Sequence, residues 1–139
     1  VDVKVIDTMK VAIVGTSTLT EHERKMAIDI IVHELLREPG VGIITGDANG
    51  VDEAVRNTRS PDASLTVVKA LDKHWEGKHG YKSRNTKIVE ECDELICITT
   101  RTRTQKCYHC NLDHQRTGGC WTANLAGSLG KHTRTYIVN

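Results

Sequence analysis

The chain has 139 residues, a formal net charge of +1, 38% hydrophobic and 27% charged residues, the size and balance of one folded domain rather than a disordered chain. No apolar stretch approaches the ~20 residues of a membrane helix, no charged-then-apolar leader is visible, and five cysteines, an odd count, suit a secreted disulfide framework poorly. The expectation is a single cytoplasmic domain over residues 1–139, with no membrane partner. Its core, in a chain with no Phe, must be built from Val, Ile, Leu and Ala, a bias that suits a buried parallel sheet.

Residues 1–8 read as a leader onto the first strand, residues 10–14 (KVAIV), which ends at Gly15. Thr20 and Glu23 form a capping-box pattern, and Ala27, Ile30, Ile31, Val32, Leu35 and Leu36 follow at helical spacing until Pro39 and Gly40. Residues 41–45 (VGIIT) form the second strand, residues 46–50 (GDANG) a glycine turn, and residues 51 to about 59 a short helix. Residues 65–68 (LTVV) read as a third strand, and residues 71–82, without a clear period, as a loop. A helix over 83–92, with Ile88 and Val89 inward, leads into a fourth strand, residues 94–98 (ELICI). A Cys/His-rich insertion at about 100–120 comes next. Gly118 and Gly119 then open a helix that continues through Ala123, Ala126 and Leu129 to Gly130, and residues 135–138 (TYIV) make the last strand.

Strands alternating with helices imply an α/β, Rossmann-like fold: a mostly parallel five-stranded sheet with helices on both faces and right-handed crossovers. Ligands in such sheets sit beyond the carboxyl ends of the strands, near the point where strand order reverses. The glycine turns after strands one and two fall at that edge, as does the Gly118–Gly119 pair beyond the insertion.

Residues 15–18 (GTST) follow a strand and precede a helix. There Gly15, Thr16 and Ser17 can aim amides and hydroxyls at an anion, although a tight turn that needs Gly for sterics reads the same way. In residues 45–52 (TGDANGVD), Gly46 and Gly50 allow close backbone approach to a ligand. Asp47 and Asp52 offer carboxylates for ribose hydroxyls or a metal, with Asn49 between them, and capping of the short helix is the other role for Asp52. This stretch resembles the G-G-A-R-G-V-D signature of the SLOG superfamily, which includes DprA and the Lonely Guy phosphoribohydrolases. In size and order the YspA/YpsA-related branch is the nearest match. Arg84 and Asn85 before the fourth strand look like the family's R-N segment, and residues 118–122 (GGCWT) resemble its G-G-x-G-T motif. The resemblance runs from about residue 9 to the C-terminus.

What the resemblance implies is a Rossmann-like domain that binds a nucleotide-derived ligand, often as a dimer. Gly46, Gly50 and Asp52 would line one side, and Gly118, Gly119 and Thr122 would meet phosphate. Arg84 falls where the phosphoribohydrolases keep a functional arginine, so Arg84 and Asp47 are the catalytic candidates if the chain is a hydrolase. Those enzymes carry a glutamate three residues after the motif threonine, where this chain has Leu125. Its absence removes the expected charge stabilisation and proton management, and Asp47, Asp52 or Asp72 are the substitutes at hand. The apolar face of the first helix can serve a dimer.

Cys107, Cys110, His114 and Cys120 supply four thiolate or imidazole donors within fourteen residues, a set able to wrap one tetrahedral Zn²⁺. A closed four-ligand site would be structural; with Cys120 turned toward the pocket, zinc would keep an open position for water. Cys92 and Cys97 read as buried thiols. The spacing is similar to a zinc knuckle, and Tyr108 and Trp121, with Arg101, Arg103, Lys106 and Arg116 nearby, either stack bases of a single strand or pack around the metal loop. From residue 100 onward only Asp113 opposes those cations together with Lys131 and Arg134, so this surface is either a solvated face or one that meets phosphate. Three functions follow: a nucleotide-ligand binder or sensor with a zinc-shaped rim, a hydrolase of such a ligand, or a single-stranded nucleic-acid binder.

Overall fold

The computed structural model describes residues 9–37, 40–58, 64–100, 105–106, 113–114 and 118–138. Strands β1 (Lys10–Gly15), β2 (Gly42–Gly46), β3 (Leu65–Val68), β4 (Glu94–Thr100) and β7 (His132–Val138) form one sheet in the order β3-β2-β1-β4-β7, and every pairing in it is parallel. Helices α1 (Glu21–Arg37), α2 (Val51–Thr58), α3 (Tyr81–Glu91) and α4 (Gly118–Ser128) make the crossovers. A small antiparallel pair, β5 (Gln105–Lys106) with β6 (Asp113–His114), lies within the Cys/His segment. The fold is α/β and Rossmann-like.

The apolar run of β1 explains the layering. Val11 and Ile13 enter a core with Ala27, Ile31 and Leu35 of α1 and Ala54 and Val55 of α2. Ala12 and Val14 point the other way, into a core with Ile88 and Val89 of α3 and Ala123 and Ala126 of α4. A strand buried on both faces has no place for the polar alternation of a half-exposed one. At its start α1 has the expected capping box: the Thr20 amide donates to Glu23 Oε1 at 2.8 Å and the Glu23 amide to Thr20 Oγ1 at 3.1 Å.

Three strand or helix boundaries differ by two or three residues from the sequence reading. β4 continues through Thr99 and Thr100, both fully buried, because they pair with Ile137 and Val138. β7 begins at His132 rather than at residue 135, since residues 132–135 lie in register with residues 94–97. α3 begins at Tyr81, two residues early, where the Tyr81 and Lys82 amides donate to the His74 and Trp75 carbonyls.

Two cations of the segment read as either a solvated face or a phosphate-meeting surface have other work. Lys131 Nζ donates to the carbonyls of Val89 and Cys92 at 2.6 Å each and Glu90 at 3.1 Å, closing the C-terminal end of α3 where the helix dipole favours a cation. Arg134 Nη2 bridges the buried carboxylates of Glu34 (2.7 Å) and Glu94 (2.6 Å), while Tyr136 donates its hydroxyl to Glu34 at 2.7 Å. Arg37 reaches the same two acids at 3.3 and 3.4 Å.

Removing Arg134 would leave two buried carboxylates short of a counter-charge. Arg134→Met is expected to lower stability at neutral pH by about 3 kcal/mol, the low end for a broken buried pair because Arg37 remains. Urea unfolding measures this, and a loss under about 1 kcal/mol would show that the bridge carries no such load.

Candidate ligand cleft

The strand order reverses between β1 and β4, whose register sets Gly15 against Ile98. Beyond the carboxyl ends of these strands opens a cleft of about 680 Å³. Of the sequence-predicted residues, Gly15, Thr16, Ser17, Asp47, Asn49, Asp52, Arg84, Asn85, Gly119 and Thr122 line it, so all three motifs meet there. Gly46 and Gly50 are buried and are not among its lining residues. Lys73, Trp75 and Tyr81, which the sequence reading left in a loop, line it as well.

The glycines make room for protein atoms. A Cβ on Gly46 would sit 2.5 Å from Asp52 Oδ2 and 2.6 Å from Arg84 Nη1. Gly50, at φ 70°, faces the Thr16 carbonyl, which a Cβ would approach to 2.3 Å. Gly119 lets the first turn of α4 come down on the end of β1, where a Cβ would stand 2.9 Å from Gly15 Cα. What comes close at these glycines is the protein itself, side chains at Gly46 and backbone at Gly50 and Gly119.

Arg84 is buried and directed across this floor. Its Nη1 donates to Asp47 Oδ1 at 2.7 Å, its Nε donates to Asn85 Oδ1 at 2.7 Å, and its guanidinium lies 5.2 Å from the Tyr81 ring centre. Asp52 Oδ2 is 3.9 Å from the same Nη1 and accepts from the Ala48 amide at 3.3 Å. Asp52 lies in the first turn of α2, and its acceptor contacts go to Ala48 and Thr45, so it braces the glycine turn beneath the cleft. Arg56, which no motif marked, donates to the carbonyls of Gly46 and Ala48 at 2.9 Å each and holds the same turn.

Thr45 has one hydroxyl proton and two acceptors: Ile13 O at 2.8 Å and Asp52 Oδ1 at 3.3 Å. The shorter contact takes it. Thr45 Oγ1 is then also within reach, as an acceptor, of the protonated form of Asp52. Burial pushes the Asp52 carboxyl from its ordinary 3.8 up to about 6, against the lowering pull of the Arg84 guanidinium.

The helix N-termini differ in what they offer an anion. The capping box closes α1, which carries Glu21 and Glu23 in its first turn. α2 carries Asp52 and Glu53 there, and its Val51 amide donates to the Thr16 carbonyl at 3.0 Å. The Thr16 amide itself is taken by Ile98 O at 3.1 Å. α3 and α4 both lack an acid in the first turn, but the Tyr81 and Lys82 amides of α3 are taken by the His74 and Trp75 carbonyls, whereas α4 brings Gly119 onto the lining.

Cys92, Cys97 and Cys120 are buried and are not joined in disulfides. Cys107, Cys110, Tyr108, Arg101, Arg103 and Arg116 lie outside the described residues, as do the side chains of Lys106 and His114. Leu125 packs against the core that α3 and α4 form with the sheet. A second hollow of about 510 Å³ runs beside β3 and α3, lined by Lys69, Lys78 and Lys87 among others, and shares Arg84 with the cleft.

No known family model and no curated protein matches the chain. Its fold matches a solved structure of DNA processing protein A from Helicobacter pylori, described for its single-stranded DNA binding mode, with a TM-score of 0.61 at 20% identity over 96% of this chain and 68% of that one. The shared property is the fold. Among the described residues no helix is long and apolar enough to cross a membrane.

The Asp52 carboxyl carbon is expected to titrate near pH 6 by NMR. Since its folded value lies above 3.8, the stability that it contributes is full below the unfolded value and is lost as pH rises through about 6. Asp52→Asn, which mimics the protonated acid with an amide donor toward Thr45, should gain on the wild type between about pH 4 and pH 7 in urea unfolding. An NMR midpoint in the ordinary carboxylate range would refute the raised value.

Proposed function

We propose that the chain is a SLOG-type binding protein, of the YspA/YpsA-related branch, that holds a nucleotide or nucleotide-derived phosphate in this cleft. The observation that carries the reading is the acid-free first turn of α4 opening at the strand-order reversal, beside Ser17 and Lys73. A helix N-terminus presents amides and a favourable dipole to an anion. Asp47, about a third exposed beside Arg84, is placed to accept from a ribose hydroxyl. Binding is favoured over hydrolysis because Leu125 has no proton to move and because Arg84 and Asp47 are engaged with each other.

In isothermal titration, a nucleoside monophosphate should bind at least about tenfold more tightly than its nucleoside, the worth of charge-assisted hydrogen bonds to the phosphate. Equal affinities, or no binding across a nucleotide panel, would overturn the reading. Release of free base beyond that of an Arg84→Ala control would instead make the chain a hydrolase.

The same proposal includes one zinc ion, held by Cys107, Cys110, His114 and Cys120 and fixing the rim beside the cleft, and a homodimer in which α1 presents its exposed Val32 and Leu36. What supports the zinc is the donor set itself, together with Cys120 in the first turn of α4 and the β5–β6 pairing that sets residue 105 opposite residue 114. Native mass spectrometry should find one zinc per chain in a dimer and none in Cys107→Ser/Cys110→Ser. A metal-free wild type or an unchanged zinc content in the double variant would remove the metal from the proposal, and a monomer would remove the dimer.

A second reading, a binder of single-stranded nucleic acid, is favoured by the lysine-lined hollow beside β3 and by what the fold neighbour is described as binding. It predicts oligonucleotide retention that falls steeply with salt.

A further inference from the structure

Two aromatic rings line the cleft, and only one has been given a role. Tyr81 carries the Arg84 guanidinium at 5.2 Å. Trp75 stands in the segment between β3 and α3, which is folded into a fixed shape. The Asp72 amide donates to the His79 carbonyl at 2.9 Å, the Tyr81 amide to His74 O at 2.8 Å, and the Lys82 amide to Trp75 O at 3.0 Å. The carbonyls of His74, Glu76 and Trp75 close around Gly80 so tightly that a Cβ there would meet them at 2.5, 2.6 and 2.9 Å. Trp75 is thus held by its backbone on both sides.

Its ring is braced as well. Trp121 of α4 packs on Trp75 in a T-shaped contact, centres 5.1 Å apart and planes at 87°. In that geometry either the edge of Trp75 meets the face of Trp121, or one face of Trp75 meets the edge of Trp121. Both leave at least one face of Trp75 out of the contact. Lys82 Nζ, 6.0 Å from the Trp121 ring centre and 3.7 Å from Glu76, ties the brace to the same loop. Trp121, which the sequence marked as a base-stacking candidate, does not line the cleft; Trp75 does.

A half-buried indole, immobilised on a polar cleft floor, is a platform for a flat ring. We infer that Trp75 is the base-recognition residue of this site, stacking against the nucleobase of a ligand whose phosphate end lies toward Ser17 and α4. The inference rests on the phosphate-binding reading of the cleft and adds the ligand's aromatic class to it. Stacking tolerates any base and favours the larger purines, so the site selects nucleotides over sugar phosphates.

The test compares adenosine monophosphate with ribose 5-phosphate, which keeps the phosphate and loses the base. Wild-type protein should bind the nucleotide roughly tenfold more tightly, as stacking of one base predicts. Trp75→Leu should bring the nucleotide down to the sugar phosphate and leave ribose 5-phosphate unchanged, and Trp75→Tyr should recover most of the preference. If Trp75→Leu keeps the preference, the platform is elsewhere and the inference fails, while the phosphate reading stands on ribose 5-phosphate binding. If neither compound binds the wild type, both fail. A fluorescence measurement covers the case in which Trp75→Leu does not fold. In Trp121→Phe, whose single indole is Trp75, adenosine monophosphate should quench the emission and ribose 5-phosphate should not; equal or absent quenching by both would overturn the assignment.

Discussion

Everything at the cleft depends on how closely α4 can settle on the end of β1. The parallel sheet turns its strand order between β1 and β4, which leaves a gap beyond the carboxyl ends that a helix can enter. Gly119 lies against Gly15 with no room for even a methyl group between them. This contact fixes where the α4 amides begin, places Thr122 on the lining, and carries Trp121 to the side of Trp75. A bulkier residue at position 119 would lift the helix and separate the two halves of the site, and one at position 15 would run into Ile98 O and Val51.

The strands were legible because a parallel sheet buried on both faces leaves a plain trace: the apolar runs at 11–14, 43–44 and 95–98 carry no charged or hydroxyl side chain. The Thr20–Glu23 cap was equally plain, since its two hydrogen bonds are local. The start of β7 was hidden. Edge residues 132–135 are exposed or half-exposed without alternation and pair with a strand far back in the chain. Likewise, nothing near Lys131 or Arg134 reveals that their partners are the end of α3 and the acids Glu34 and Glu94. Charge counted along a sequence cannot distinguish a solvated cation from one that is already matched.

Glycine spacing gave the right place and only part of the reason. At Gly46 the missing side chain is replaced by Asp52 and Arg84, and at Gly50 by the loop after β1. The motif is a packing motif first: it draws two loops together, and the hollow they enclose is the result. The loop carrying Trp75 had no period to read because its order comes from carbonyls converging on Gly80, a three-dimensional arrangement without a linear pattern.

The cleft lining comes from the loop after β1, the turn after β2, the Trp75 loop and the first turn of α4, segments spread along nearly the whole chain. A molecule gripped by all of them has nothing to grip once the chain is unfolded. Each tenfold excess of such a molecule over its dissociation constant would therefore add about 1.4 kcal/mol to the intact fold. For a domain whose interior is built of aliphatic side chains without a single Phe, cargo would be a source of cohesion, and the loaded protein would outlast the empty one under heat or proteolysis.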